Sequence, residues 1–112
     1  MNADRSLIAL PCKLSPGIFS GERVFEVRLA NGETYTSVAP RFFCWNGSGV
    51  LVGETEPERE ADGMVAAHLI EDLEGGQVAV EVPDGEVIAV DQAQVTRRPT
   101  PIVPPSPTSI EI

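Results

Sequence analysis

The densest run of titratable groups in this chain is Glu54-Thr55-Glu56-Pro57-Glu58-Arg59-Glu60-Ala61-Asp62, with an acid at every second position. In an extended backbone, side chains two apart share an edge. Glu54, Glu56, Glu58, Glu60 and Asp62 would then form a row of carboxylates spaced about 6.6–7 Å apart. Pro57 favours an extended Glu56. The chemistry of such a row is attraction of cations: polyamines, divalent ions, or protein segments rich in lysine and arginine. The spacing is too wide for one ion to reach more than two side chains, and the run lacks the residue order of a calcium loop. The same composition also serves as a solvated linker between apolar strands.

Nucleophiles are few. The chain has two cysteines, Cys12 and Cys44, and one histidine, His68. A Cys44–His68 pair is the one route to thiol catalysis, and paired carboxylates are the other route to a small enzyme. A zinc site needs three or four ligands at close spacing, and no phosphate-cradling glycine motif occurs, so no cofactor is expected. The cysteines are expected to be small buried apolar groups and not a disulfide. If His68 has a function, its place in an apolar run near Glu71 and Asp72 makes it a pH-sensitive group. Arg41-Phe42-Phe43-Cys44-Trp45-Asn46-Gly47 holds three of the six aromatic residues. Successive side chains of an extended chain point opposite ways, so one of Phe42 and Phe43 faces solvent. Phe43 and Trp45 are therefore candidate partner-binding residues, with the plug of a small barrel as the structural alternative.

The 112 residues carry 17 acids and eight bases, a formal charge of -9, and are 42% hydrophobic. That is a globular composition, and the acidic balance argues against direct nucleic-acid binding and against docking on anionic membranes. The charge is local: residues 54–91 hold twelve acids and a single base, Arg59, while each flank is nearly neutral. No apolar run approaches the roughly 20 residues of a membrane-spanning helix, and the first residues lack the order of a secretory signal, so a cytoplasmic protein is expected.

Strands must position these groups. Leu7–Leu14 is apolar with Pro11 inside, which predicts a sheet edge or a bulge. Val24–Leu29 alternates, and Asn31-Gly32 predicts a tight type I′ turn into Thr34–Val38. Val78–Val82, Pro83-Asp84-Gly85 and Glu86–Val90 repeat that plan. Laying Gly32 on Gly85 brings Val27 onto Val80 and Tyr35 onto Ile88, a weak internal repeat of about 40 residues. Met64–Leu73 is ambiguous. Ala66, Leu69, Ile70 and Leu73 form a helical stripe, but acids at its C-terminal end oppose the helix dipole, and a strand turning at Glu74-Gly75-Gly76 is preferred.

The expected fold is all-β: one domain over residues 1–97, built as two β-meanders in a small barrel or sandwich. The meanders span about 7–45 and 63–97, joined by the acidic linker 54–62. Five of the nine residues 99–107 are proline, so 98–112 reads as an extended tail. Within it, Arg98-Pro99-Thr100-Pro101-Ile102-Val103-Pro104 fits the R-x-x-P-x-x-P pattern of SH3 ligands, and Ser109–Ile112 alternate like an added strand. The meander, turn and final-strand order of residues 63–97 resembles the SH3-like small barrels. That resemblance implies a binding module, although this stretch lacks the aromatic residues such modules use. The expected function is non-catalytic binding of a cationic ligand or basic protein by the acidic segment, in a homo-oligomer. An acidic mimic of nucleic acid and the small enzyme are the alternatives.

Overall fold

The computed structural model describes residues 7–99. They form β1 (Leu7–Pro16), β2 (Glu22–Arg28), β3 (Thr34–Pro40), β4 (Cys44–Asn46), β5 (Ala61–Asp72), β6 (Gln77–Glu81), β7 (Val87–Asp91) and β8 (Thr96–Arg97), with short 3-10 turns at Arg41–Phe43, Glu74–Gly76 and Gln92–Gln94. All eight strands belong to one antiparallel sheet of order β3-β2-β1-β5-β6-β7, with β4 on β5 and β8 on β1. The sheet curls into a half-barrel around one core. The two meanders thus join edge to edge and share an interior. Ile8, Leu10, Phe25 and Val27 pack in the same buried cluster as Val65, Val78, Val80 and Val90. Among the described residues no helix is long and apolar enough to cross a membrane.

Met64–Leu73 follows the strand pattern, not the helical one. Val65 and Ala67 enter the core, while Met64 and Ala66 pack on the opposite face with Ala9 and Trp45. The apparent helical stripe arises from a bulge between Leu69 and Glu71, where Ile70 is the extra residue and half-exposed. Two sequence expectations need correction. β1 is the centre of the sheet and not its edge. Pro11 is tolerated because residues 10–12 face β5 on one side but lie between the β8 and β2 pairings on the other. The Asn31-Gly32 turn is not type I′: only Gly32 takes a positive φ, of 92°. Gly32 N–H donates to Leu29 O and Leu29 N–H to Glu33 O, a three-residue loop with glycine at its left-handed position. Of the proline tail motif only Arg98 and Pro99 are described; residues 100–112, with the alternating Ser109–Ile112, lie outside the described residues.

The internal repeat is present in the fold. With Gly32 laid on Gly85, Val27↔Tyr35 falls on Val80↔Ile88 and Phe25↔Ser37 on Val78↔Val90. The turn bonds repeat as well: Asn31 Oδ1 accepts from Glu33 N–H, and Asp84 Oδ1 accepts from Glu86 N–H. The first strands, β1 and β5, pair about a local two-fold axis at Ala9↔Ala66. Each half then lays its short last strand on the other half's first: Cys44 opposite Val65, and Arg97 opposite Ile8. The first half differs in a longer β1–β2 arm, whose tip exposes Ile18 and Phe19.

Gly63 sits where β1, β5 and β4 crowd together. A Cβ there would lie 2.4 Å from the Trp45 carbonyl oxygen and 2.6 Å from Leu14 Cδ1. Gly63→Ala is expected to cost about 2 kcal/mol or more through forced displacement of packed neighbours. Gly47→Ala, whose Cβ would meet only the Asp62 carbonyl oxygen at 3.5 Å, should stay within about 0.5 kcal/mol of the parent. Urea midpoints of the two variants test this.

Candidate functional site

The acidic segment does not run as an extended row. Residues 54 and 55 form a turn, 58 and 59 a bend, and strand geometry begins only at Ala61. What shapes it is Arg23 on β2, 3% exposed and the one buried charged residue among those described. Its guanidinium donates to the backbone carbonyls of Ser20, Glu22, Gly53, Glu54 and Glu56. A buried guanidinium needs its donors satisfied, and here carbonyls satisfy them in place of a carboxylate. The loop backbone is thereby gathered inward, and its acidic side chains are left on the outside.

The five carboxylates consequently separate. Glu56 turns back, and its Oε1 accepts from Gly53 N–H. Glu54 and Glu58 line a small cleft with Pro16, Phe19 and Pro57. Glu60 and Asp62 reach the neighbourhood of Lys13. There the β1–β2 and β1–β5 registers place Glu26, Lys13 and Asp62 side by side across three strands. Asp62 Oδ1 lies 3.1 Å from Lys13 Nζ. This hydrogen-bonded carboxylate, with Glu60 and Glu26 nearby, raises the Lys13 pKa. The triplet opens onto a cleft of about 660 Å³ also lined by Arg28, Asp91 and Gln94. Sequence reading located Glu60 and Asp62 but missed Glu26, Lys13 and Asp91, because only strand register brings them there.

The aromatic cluster also divides. Phe42 is 65% exposed with the Arg41 guanidinium over its ring, and Phe43 is 42% exposed. Trp45 is only 8% exposed, buried against Ala9 and Ala66. Phe43 lines a cleft of about 240 Å³ with His68, Glu81, Pro83 and Arg98. Arg98, the first residue of the proline-rich segment, donates from Nε to Ile8 O and from Nη2 to Ala67 O. Burial lowers its pKa.

Cys44 and His68 do not meet. Cys44 stands opposite Val65, whose side chain enters the core, whereas His68 follows Ala66 on the other face. Burial pushes the Cys44 thiol up to about 11, against a lowering influence of Arg23, and its Sγ lies 3.7 Å from Pro40 O. Burial raises the Cys12 pKa further, with Cys44 and Asp62 adding to the shift. Both thiols are free and buried. A protonated, enclosed thiol is a poor nucleophile.

The two halves are tied at the second hairpin. Asp84 Oδ2 accepts hydrogen bonds from Tyr35 Oη and from Ser37 Oγ at 2.6 Å. Its partial burial opposes ionisation. Donation from Ser37, Tyr35 and the Glu86 backbone outweighs that, and the Asp84 pKa is lowered. The bond to Asp84 raises the Tyr35 pKa in turn.

Comparison with protein-family models, with characterised proteins and with solved structures finds no match for this chain.

Two outcomes follow from these environments. Because the Asp84 pKa is below the ordinary 3.8, its contribution to stability is complete above that value. It is lost as pH falls through the lowered folded-state value. Asp84→Asn should therefore lower the urea midpoint at neutral pH, and the gap to the parent should close in acid. In native protein at pH 8, neither thiol should react with a disulfide reagent except at the rate of unfolding, and both should titrate in denaturant.

Proposed function

We propose that the protein is a non-catalytic interaction module whose acidic face receives a basic protein segment. The observation that carries this reading is the seat of Lys13. Asp62 on β5 pairs with the Lys13 ammonium, Glu26 on β2 and Glu60 at the end of the linker add their charge to it, and Asp91 lines the same cleft. A site that holds the chain's own ammonium has the spacing and sign to hold another in the adjoining space.

A protein segment fits better than a small cation. The linker leads from the Lys13 cleft to the smaller cleft of Glu54 and Glu58, where exposed Phe19 supplies apolar surface beside the acids. Basic residues flanked by an apolar anchor would use both. The order of elements over residues 63–97, a three-stranded meander, a 3-10 turn and a short last strand, resembles the SH3-like barrels, which are binding modules. This supports an interaction role over chemistry. The acidic net charge supports a cationic partner over nucleic acid.

Titration of a lysine- and arginine-rich peptide carrying one aromatic residue, followed by calorimetry at low salt, tests the reading. Asp62→Asn and Glu60→Gln should each weaken binding by about two- to five-fold, the range of a solvent-exposed ion pair. Salt near 1 M, where the screening length is about 3 Å, should remove most of the affinity. A glutamate-rich peptide should give no heat. Absence of binding to the basic peptide at low salt, or equal binding by the parent and both variants, would overturn the proposal.

A further inference from the structure

We propose that the chain is a fused pair of interlocking halves, and that two copies can exchange halves to form a dimer in which the first half of each completes the second half of the other. The inference rests on strand pairing and core composition, independently of the acidic face.

Neither half is complete by itself. The first strands β1 and β5 are each other's partners from Leu7↔His68 to Leu14↔Ala61. The short last strands cross over, β4 to β5 and β8 to β1. The core cluster draws on both halves without division. Hairpin contacts cross as well: Tyr35 and Ser37 reach Asp84, and Ala30 N–H donates to Ala89 O on β7, an edge strand of the sheet. The covalent link between halves is by contrast slight. Arg23 fixes the chain as far as Glu56, and β5 begins at Ala61. Residues 57–60 join the two, and Glu58, Arg59 and Glu60 are exposed. An exchanged dimer would keep every ladder, every buried side chain and the Arg23 bonds, and would alter only this four-residue tether. Such exchange is opposed mainly by the lost freedom of a second chain, so it depends on concentration.

The core also dictates which halves can pair. Near the local two-fold axis, Ile8 is matched by Val65 and Leu10 by Ala67, and further out Phe25 is matched by Val78. The first half is the larger at these three positions, whereas Val90 and Leu69 of the second half exceed their counterparts Ser37 and Cys12. Two like halves would overfill some core positions and leave others hollow. Exchange therefore joins unlike halves only, in equal numbers.

The first arm of the test inserts a protease recognition sequence between Arg59 and Glu60 of the full chain and cleaves it there. The two pieces should remain one folded species at a one-to-one ratio, with the parent's circular dichroism. When isotopically heavy and light cleaved samples are mixed, native mass spectrometry should show pieces of mixed origin. Dissociation or unfolding on cleavage, or pairs of like pieces, overturns the proposal. The second arm unfolds a mixture of heavy and light intact chains and refolds it at low and high protein concentration. The high-concentration sample should contain dimers of mixed mass that persist on dilution and revert only after unfolding. Monomer at every concentration, or dimers that dissociate on simple dilution, overturns exchange.

Discussion

The antiparallel pairing of β1 with β5 is the constraint on which the rest of the structure depends. Both strands are buried at their crossing on both sides. Ala9 and Ala66 meet beneath Trp45 on one face, and Leu10, Val65 and Ala67 enter the core on the other. Two alanines at the crossing leave room for Trp45, and a two-sided burial of this kind favours an apolar run over strict alternation. Each strand then has a second edge to fill. Both fill it the same way, with a short borrowed strand and a longer hairpin partner, and so the sheet curls.

Most of this architecture was legible in local patterns. Alternation in Val24–Leu29 and Val78–Val82, and the glycines at positions 32 and 85, mark hairpins with little dependence on context. The repeat showed through the same glycines. Pro11 misled because the argument about proline concerns missing donors, not position in a sheet. A central strand tolerates it wherever one neighbour ends before the next begins. The 3-10 turns and two- to three-residue strands near Trp45 and Val95 had no periodicity to read, since three residues cannot alternate recognisably.

The acidic segment shows where sequence reading stops. Its carboxylates were evident, but a row at every second position presumes an extended backbone, and the path is set from a distance by Arg23. Nothing next to Arg23 in the chain distinguishes it from the other arginines. Three of its five partners lie about thirty residues away, and all five are backbone atoms, which have no sequence signature. Lys13, Glu26 and Asp62 were equally invisible as a group, because they meet only through the registers of three strands.

Arg23 grips carbonyl oxygens, and every residue type provides one. Apart from the Glu56 carboxylate, which accepts from Gly53 N–H, the side chains displayed by the 53–56 loop take no part in this grip. Positions 54 and 55 can be rewritten, from acid to base or from polar to apolar, while the backbone keeps its shape. In this corner of the molecule, scaffold and message are carried by different atoms, so recognition can drift or be redesigned without renegotiating the fold.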